Sequence, residues 1–310
     1  MKRIQYESYG GTSVMKLADY VPAEPASGEV QISVRAAAIN PIDWKIRNGD
    51  LKVVTGRKFP RAMGVDFSGV VTATGSGVSR VRPGDAVFGL AKIKQCGAFA
   101  ESVVTEENLI ALKPGTLSFE EAACLGTPGV TAWNALIDRA KITQGQRIFI
   151  NGCGGAVGMT ALQIARVHGA VVTGSCSAED AQKLRLAGAE MVYDYRRTDP
   201  RTLREKFDVV LDASAKMSVQ EALKLLNPRG KYLDLNPGPA KFLRSIFTRQ
   251  LKPIVCSPRA EILDSLASAA GSGEINIAVA KAVYLTEAIP LLDSLEKGLR
   301  IGGKAIIKMS

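Results

Sequence analysis

Cysteine is sparse in this sequence, and its few positions exclude two common ways of stabilising a fold. The five cysteines are odd in number, lie far apart and never form a Cys-x-x-Cys pair: Cys96, Cys124, Cys153, Cys176 and Cys256. Disulfide frameworks and structural zinc sites both need paired or closely spaced thiols. We therefore expect neither, and we interpret the cysteines as reduced side chains in the core.

Long apolar runs are also missing. No stretch reaches the roughly 20 apolar residues of a membrane-spanning helix, and no basic segment followed by an apolar run opens the chain. The first residues, Met1–Tyr6, already have a strand-like pattern. The sequence has no internal repeat and no low-complexity segment. We expect a cytoplasmic protein without an integral membrane segment.

Basic residues outnumber acidic ones, 40 Lys and Arg against 30 Asp and Glu, which gives a formal net charge of +10. The bases are scattered and form no block interleaved with aromatic side chains, so we expect no nucleic-acid partner. A positive balance fits a phosphorylated cofactor, and it equally fits a surface that keeps the protein in solution. The hydrophobic fraction of 46% and the charged fraction of 23% are those of an ordinary globular protein.

The first third of the chain has the patterns of β-structure. Alternating apolar residues predict strands in 30–35, 69–74 and 86–90. A capping box at Ser118-Phe-Glu-Glu then predicts the start of a helix, and a second helix is expected over about 131–139.

From residue 147 onward strands and helices alternate, which indicates βαβ units and a parallel sheet. The predicted strands are 147–151, 170–173, 191–193, 207–211, 231–235 and 253–256, and the predicted helices are 157–167 and 179–187. After residue 271 the pattern is β-like again. We therefore predict an α/β fold in which a β-rich domain, 1–117 completed by 273–310, is interrupted by a dinucleotide-binding domain, 118–272.

The strongest local signal is the segment from Ile148 to Gly158, in which Gly152, Gly155 and Gly158 are spaced three apart. It directly follows a predicted strand and directly opens a predicted helix. A diphosphate binds at such a turn because free backbone N–H groups and the positive end of the helix dipole meet there. We expect the amides of Gly152, Gly155, Ala156 and Val157 to bind it. A glycine-rich turn that binds nothing is the alternative.

The end of the next strand indicates which nucleotide binds. Sites for NAD carry an acid there for the ribose 2′-hydroxyl, whereas this chain has Thr173-Gly-Ser-Cys-Ser without a carboxylate. We expect Ser175 and Ser177 to donate hydrogen bonds to a 2′-phosphate, although Ser177 equally fits a helix N-cap. Tyr195, followed by Arg196 and Arg197, supplies a phenol and two cations. We predict that NADPH binds at least about tenfold more tightly than NADH.

Taken in order, a set of segments resembles the quinone oxidoreductase branch of the medium-chain dehydrogenase/reductase superfamily, especially its chloroplast-envelope and reticulon-4-interacting types. The resemblance covers nearly the whole chain. The segments are 38–49 (AINPIDWKIRNG), 57–60 (RKFP), 63–71 (MGVDFSGVV), 77–88 (GVSRVRPGDAVF), 97–101 (GAFAE), 117–123 (LSFEEAA), 129–133 (GVTAW), the glycine turn, 186–190 (LAGAE), 236–239 (NPGP) and 302–304 (GGK). The resemblance implies a GroES-like catalytic domain plus a Rossmann domain with a doubly wound parallel sheet. It also implies reduction of a quinone or an α,β-unsaturated ketone by NADPH, and a homodimer.

The resemblance further implies roles for individual residues. Asn40 is expected beside the nicotinamide ribose and the acceptor, with its amide donating to the enolate oxygen that develops. Thr131 and Asn236 are expected to hold the ribose and the carboxamide. Lys45 is a candidate proton donor or oxyanion partner, at a position where many relatives have a tyrosine. The alternatives are a solvent-facing lysine and a proton from water. Asp180 stands where several relatives carry a lysine for the 2′-phosphate.

Zinc-binding members of the superfamily place a cysteine at the position of Asn40 and a His-Glu pair at Val65-Asp66. The only histidine of this chain, His168, follows a predicted helix and belongs to no ligand pattern. A catalytic zinc needs three protein ligands, so we expect a zinc-free enzyme.

Two other functions remain open from the sequence. One is a nucleotide-binding scaffold with vestigial reductase activity, and the other is an enoyl-thioester reductase. The segment 241–259 is mixed apolar and basic, and it fits a substrate pocket, a subunit interface or a membrane-surface contact.

Overall fold

The computed structural model describes residues 1–199 and 202–309, and they form two compact units. Unit 1 is Met1–Thr127 together with the chain from Pro258 onward, and unit 2 is Pro128–Ser257. Across the described residues, no helix combines the length and the apolar character needed to cross a membrane.

The described strands and helices alternate along the chain in the way that the sequence patterns indicate. The strands are β1 (Lys2–Tyr6), β2 (Met15–Asp19), β3 (Glu29–Ala38), β4 (Arg61–Ala62), β5 (Asp66–Thr74), β6 (Ala86–Leu90), β7 (Ser102–Glu106), β8 (Ile110–Leu112), β9 (Arg147–Asn151), β10 (Val171–Cys176), β11 (Met191–Asp194), β12 (Phe207–Asp212), β13 (Leu226–Asp234), β14 (Leu251–Pro253), β15 (Val279–Tyr284) and β16 (Lys304–Lys308). The helices are α1 (Pro41–Asn48), α2 (Lys52–Thr55), α3 (Phe119–Ala123), α4 (Gly126–Trp133), α5 (Ala156–Val167), α6 (Ala181–Leu186), α7 (Val219–Leu225), α8 (Pro239–Phe247), α9 (Ala260–Gly271) and α10 (Ala288–Glu296).

Unit 1 contains two sheets that are mainly antiparallel. The larger has the order β15-β16-β3-β5-β6-β8, with β7 also paired to β3, and the smaller has the order β2-β1-β4. In β3 the apolar residues Val30, Ile32 and Val34 alternate, and all three are buried. This period of two places one face of the strand in the core, as the sequence predicts.

Unit 2 contains a parallel sheet with the strand order β11-β10-β9-β12-β13-β14. Numbered from its own first strand, this is the order 3-2-1-4-5-6 of doubly wound dinucleotide-binding folds. The chain moves outward from β9 through β10 to β11 and then returns to β12 on the other side of β9. Ligands bind at such a switch point, outside the carboxyl ends of the strands.

The core of unit 2 explains why its central strands have continuous apolar runs. Ile148, Phe149 and Ile150 of β9 are successive residues, and all are fully buried. Successive residues point to opposite faces of a sheet, so both faces of this strand are covered. On the following helix, α5, every residue from 160 to 165 is buried.

The boundaries of the two units differ from the predicted 1–117, 118–272 and 273–310. Helix α3 contacts β3 and β5, and helix α9 contacts β8. Both helices therefore belong to unit 1, which ends at Thr127 and resumes at Pro258. A capping box marks where a helix starts, but it does not show which sheet the helix covers.

Several predicted elements are displaced. Over 131–139 the helix begins earlier, as α4, and continues as a π-helix at Asn134–Ala140. The segment 179–187 begins with a turn of 3-10 helix, Ala178–Asp180, before α6. Strand β14 ends where the predicted strand 253–256 begins, and α10 lies in a region expected to be β-like.

Candidate nucleotide site and buried polar cluster

The predicted phosphate-binding turn lies at the switch point of the sheet in unit 2. It leaves β9 at Asn151, whose strand register places it beside Ser175 of β10 and Asp212 of β12. The Asn151 amide donates to Asp212 Oδ1 over 2.9 Å and to Ser214 Oγ over 2.8 Å. The end of β9 is therefore fixed to its neighbouring strand before the turn begins.

The three glycines of the turn differ in whether the structure requires a glycine at their position. Gly152 has φ 78°, the left-handed region that favours glycine. At Gly158 an added Cβ would lie 2.5 Å from Gly152 O and 2.7 Å from Cys153 Cα, so only glycine fits against the turn. At Gly155 an added Cβ would meet only Gly152 O, at 3.5 Å, which is ordinary contact. The protein therefore leaves the space beside Gly155 open.

The amino-terminal end of α5 has the electrostatics of an anion site. Gly155 is its N-cap, no side chain caps it, and its first turn contains no acidic residue. The first N–H groups of a helix have no partner inside it, and the helix dipole adds positive potential there. The backbone amides of Ala156 and Val157, which belong to this turn, are thus suited to a diphosphate.

The structure assigns Ser175 a supporting position. Its hydroxyl donates to Asn151 Oδ1 over 2.7 Å and accepts from Gly152 N over 3.2 Å, and the residue is fully buried. Its single hydroxyl hydrogen is therefore already used. This differs from the predicted donation to a 2′-phosphate; Ser175 holds the turn in shape instead.

Ser177 is nearer to the surface and contacts acidic neighbours. It occupies the N-cap position of the 3-10 turn, but no cap hydrogen bond forms, and its hydroxyl donates to Asp180 Oδ2 over 3.0 Å. The Asp180 carboxylate also lies next to the glycine turn, because a Cβ added at Gly154 would be 2.9 Å from Asp180 Oδ2.

Two predicted cations and the phenol lie after β11. Arg196 Nη1 donates to Glu179 Oε1 over 2.9 Å, and its guanidinium lies over the Tyr195 ring at 5.6 Å. Arg197 Nε is 3.9 Å from Asp194 Oδ2. The Glu179 backbone N–H, the Ser177 hydroxyl and Arg196 lower the pKa of Glu179 to about 2. The carboxylate is therefore ionised at neutral pH.

The other predicted cofactor residues occupy separate positions of unit 2. Asn236 is exposed just beyond the carboxyl end of β13, and its backbone N–H donates to Asp234 Oδ1 over 2.9 Å. Thr131 is half-buried on α4. Helix α8 follows Asn236 and exposes Phe242, Leu243, Ile246 and Phe247, so the three interpretations of segment 241–259 stay predictions.

Unit 1 contains a buried polar cluster around Asn40, the residue at the N-cap position of α1. Its members come from four parts of the unit and are Asn40, Asp43, Asp66, Thr127 and Lys304. The Asn40 amide donates to Asp66 Oδ2 over 2.9 Å and to Ala38 O over 3.2 Å. Lys304 Nζ donates to Asn40 Oδ1 and to Ile39 O, both over 2.6 Å.

The partners determine the orientation of the Asn40 side chain. An ammonium only donates hydrogen bonds, so the Asn40 atom facing Lys304 must be the oxygen. The amide nitrogen then faces the Asp66 carboxylate. Both amide hydrogens are occupied, and the residue is 3% exposed. Asn40 therefore has no hydrogen left for an enolate oxygen while these contacts persist, which departs from the predicted role.

Burial and the Lys304 charge act in opposite directions on the pKa values of the two carboxyl groups of the cluster. Burial raises the pKa of Asp66, and Lys304 and the two hydrogen bonds from Thr127 act against that rise. Burial raises the pKa of Asp43 to about 8. At neutral pH Asp43 is therefore mainly protonated, and the Lys304 ammonium is linked to Asp66 through the Asn40 side chain.

Lys45, the candidate proton donor, is exposed on α1. Neighbouring Asp43 and Ile46 are buried. This position corresponds to the alternative that the sequence left open, a lysine facing solvent.

Sequence reasoning missed Asp43, Asp66, Thr127, Lys304 and Asp212 as members of polar networks. A usable signal was present for two of them. Asp66 and Lys304 stand in otherwise apolar strand segments, Gly64-Val-Asp-Phe and Gly303-Lys-Ala-Ile-Ile. A charged residue inside such a segment is buried only with a partner.

No group of three or more His, Cys, Asp and Glu residues suited to a metal ion occurs in 1–199 and 202–309. None of the five cysteines, all of which lie in the described part of the chain, forms a disulfide, and four of them are buried. Burial raises the pKa of the Cys96 and Cys124 thiols to about 12, so neither is a thiolate at neutral pH.

Comparison with known proteins agrees with both units. The family model "Alcohol dehydrogenase GroES-like domain" matches residues 26–132, and "Zinc-binding dehydrogenase" matches 156–234. A chloroplastic quinone-oxidoreductase homologue from Spinacia oleracea is 34% identical over 275 residues, 84% of each chain. An NADPH-dependent alkenal/one oxidoreductase from Arabidopsis thaliana is 37% identical over 76% of this chain and 62% of that protein.

Solved structures agree as well. Escherichia coli quinone oxidoreductase in complex with NADPH matches with a TM-score of 0.84 and 26% identity, over 99% of this chain and 100% of that one. The chain belongs to the medium-chain dehydrogenase/reductase superfamily, in its quinone oxidoreductase branch. It is an oxidoreductase with a GroES-like domain and a Rossmann-type domain, which confirms the predicted fold class.

Proposed function

We propose that this protein transfers a hydride from NADPH to a quinone or an α,β-unsaturated ketone without a zinc ion. The observation that carries the proposal is the glycine turn: an open, uncapped helix start without acidic residues in its first turn, at the switch point of a 3-2-1-4-5-6 sheet. Dinucleotides bind at this position because the diphosphate accepts from the turn's amides.

The residues of unit 2 fit this cofactor. Gly152, Gly155, Ala156 and Val157 provide the backbone around the diphosphate, and the open space at Gly155 lets the phosphates approach. We assign Thr131 and Asn236 to the nicotinamide half, and Ser177 and Tyr195 to the adenosine half. Bound NADPH supplies the hydride; the protein orients it and excludes competing reactions.

Unit 1 contributes a fixed polar cluster. We propose that Asn40 is the central link of this cluster and fixes the positions of the Asp66 and Lys304 side chains. It is then not the direct donor to the enolate oxygen. Because Lys45 is exposed, we assign the proton delivered to the reduced acceptor to water.

The zinc-free part of the proposal is supported by the residues at the cluster. Asn40 and Asp66 are linked to each other and to the Lys304 ammonium, whose positive charge would repel a metal ion. Dialysis against a strong chelator, followed by metal analysis and assay, tests this. We expect unchanged turnover and less than stoichiometric zinc. Loss of activity that added zinc restores would contradict it.

The names of the relatives support the acceptor class, since they include quinone and alkenal/one oxidoreductases. The test is NADPH consumption with a panel of quinones and of short and long enones. We expect fast turnover with one of these classes. A negligible rate with all of them, together with tight NADPH binding, would favour the nucleotide-binding scaffold. A homodimer and a cytoplasmic location stay predictions.

A further inference from the structure

The region of unit 2 next to the glycine turn contains acids that compete for the groups assigned to the cofactor's 2′-phosphate. Ser177 donates to Asp180, and Arg196 donates to Glu179. The Ser177 hydroxyl and the Arg196 guanidinium are thus already hydrogen-bonded to carboxylates in the protein without cofactor.

Asp180 is close to the nucleotide turn itself. A Cβ added at Gly154 would lie 2.9 Å from Asp180 Oδ2, and the Asp180 side chain is 24% exposed. Lys183 Nζ lies 3.7 Å from Asp180 Oδ1. A carboxylate that is mostly shielded from water, with a cation only at this distance, exerts a strong field on a second anion nearby.

We infer that Asp180, helped by Glu179, sets how far this enzyme prefers NADPH over NADH, by holding Ser177 and Arg196 away from the 2′-phosphate. This inference rests on the proposed use of NADPH. The 2′-phosphate carries close to two negative charges, and it must displace a carboxylate from each donor. NADH has a hydroxyl at that position and has neither the repulsion nor the competition.

The two acids weaken binding of the 2′-phosphate in two separable ways. One is charge repulsion, which salt screens over about 8–10 Å at ordinary ionic strength. The other is the single hydrogen of the Ser177 hydroxyl, which Asp180 accepts and which also acts on Glu179, so a phosphate gains it only when these acids release it. Asp180→Asn removes the repulsion and weakens the hold on Ser177, because a neutral amide oxygen is a weaker acceptor than a carboxylate. Removing the charge of Glu179 weakens the hold on Arg196.

The experiment compares dissociation constants of NADPH and NADH, measured by titrating nicotinamide fluorescence at low and high salt. For Asp180→Asn we expect the ratio Kd(NADH)/Kd(NADPH) to rise about tenfold over the wild type at low salt, and less at high salt. Glu179→Gln, at a 68% exposed side chain, is expected to raise it in the same direction. The matched control is Asp264→Asn, which removes an exposed acid paired with Arg80 in unit 1 and should leave the ratio unchanged.

A double-mutant cycle separates the two contributions. If the Ser177 hydroxyl is released to the phosphate, Asp180→Asn raises NADPH affinity less in a Ser177→Ala background than in the wild type. A ratio that stays within twofold of the wild type in both Asp180→Asn and Glu179→Gln overturns the inference. Failure of the wild type to bind NADPH at all overturns the proposed function instead, so the two failures are distinct.

Discussion

Replacing Lys304 by methionine would remove the cation of the buried cluster while keeping most of the side chain's volume. Lys304 is 5% exposed, and its ammonium donates to Asn40 Oδ1 and Ile39 O over 2.6 Å. Without it, the two oxygens lose a buried donor, and Asp66 loses a nearby positive charge that lowers its pKa. Leaving a buried acceptor without its donor costs about 1–3 kcal/mol.

The assay is denaturant unfolding, monitored by the fluorescence of the two tryptophans, Trp44 and Trp133, and by circular dichroism, at pH 5, 7 and 9. We expect Lys304→Met to lower the free energy of unfolding by about 3 kcal/mol at pH 7, because two buried oxygens lose their donor. The loss should be smaller at pH 5, because a buried Asp66 with raised pKa is then protonated more easily and needs no cation.

A matched control lies on the same strand. Lys308 is 40% exposed and lies 3.7 Å from Glu120, and an exposed pair of this kind contributes about 0–1 kcal/mol. Lys308→Met should therefore change stability by less than about 1 kcal/mol. If Lys304→Met proves as mild as Lys308→Met, the ammonium does not neutralise the cluster, and our account of the Asn40 orientation fails.

Three further predictions concern the same two sites. Since the pKa of Asp43 is raised from 3.8 to about 8, the folded state keeps a proton there between these pH values that the unfolded state has lost. This contribution to stability is full below about pH 4, falls by up to about 1.4 kcal/mol per pH unit between about pH 4 and 8, and is lost above that. Asp43→Asn should reduce that slope in a pH series of unfolding curves to the part due to the raised pKa of Asp66, and an unchanged slope would contradict the assignment. In a cofactor titration, Gly155→Ala should fold normally but bind NADPH at least about tenfold more weakly. In thermal unfolding, Gly158→Ala should lose about 1–3 kcal/mol of stability. Equal effects of the two changes would argue against the open space at Gly155. Asn40→Ala should lower kcat, and it should lower the free energy of unfolding by about 1–3 kcal/mol because Asp66 and Lys304 each lose a hydrogen-bond partner. Lys45→Ala should retain wild-type turnover. A large loss of kcat in Lys45→Ala would instead support the lysine as proton donor.

Much of the fold was predictable because it depends on local patterns. Ile148, Phe149 and Ile150 form a short apolar run after a turn and before a glycine-rich loop, and such a run is typical of a central parallel strand. The capping box at Ser118 formed as expected, with Glu121 N–H donating to Ser118 Oγ over 3.2 Å. What local patterns do not contain is which sheet a helix covers, and α3 and α9 were assigned to the wrong unit for that reason.

The candidate site was predictable in its backbone and not in its side chains. The glycine turn was identified from three glycines between a strand and a helix, and its backbone geometry requires glycine at two of them, Gly152 and Gly158. The roles of Ser175 and Asn40 depend on which neighbours take their hydrogens. Those neighbours, Asn151 and Asp66, come from other strands, and the sequence does not specify such pairings between distant segments.

The central claim is that the amides at the start of α5 bind the diphosphate of a nicotinamide dinucleotide. A crystal structure of the protein with NADPH tests this most directly. We predict that the diphosphate oxygens lie within hydrogen-bonding distance of the backbone nitrogens of Ala156 and Val157, beside Gly155. A cofactor bound elsewhere, or a turn that remains empty at saturating NADPH, would contradict the account.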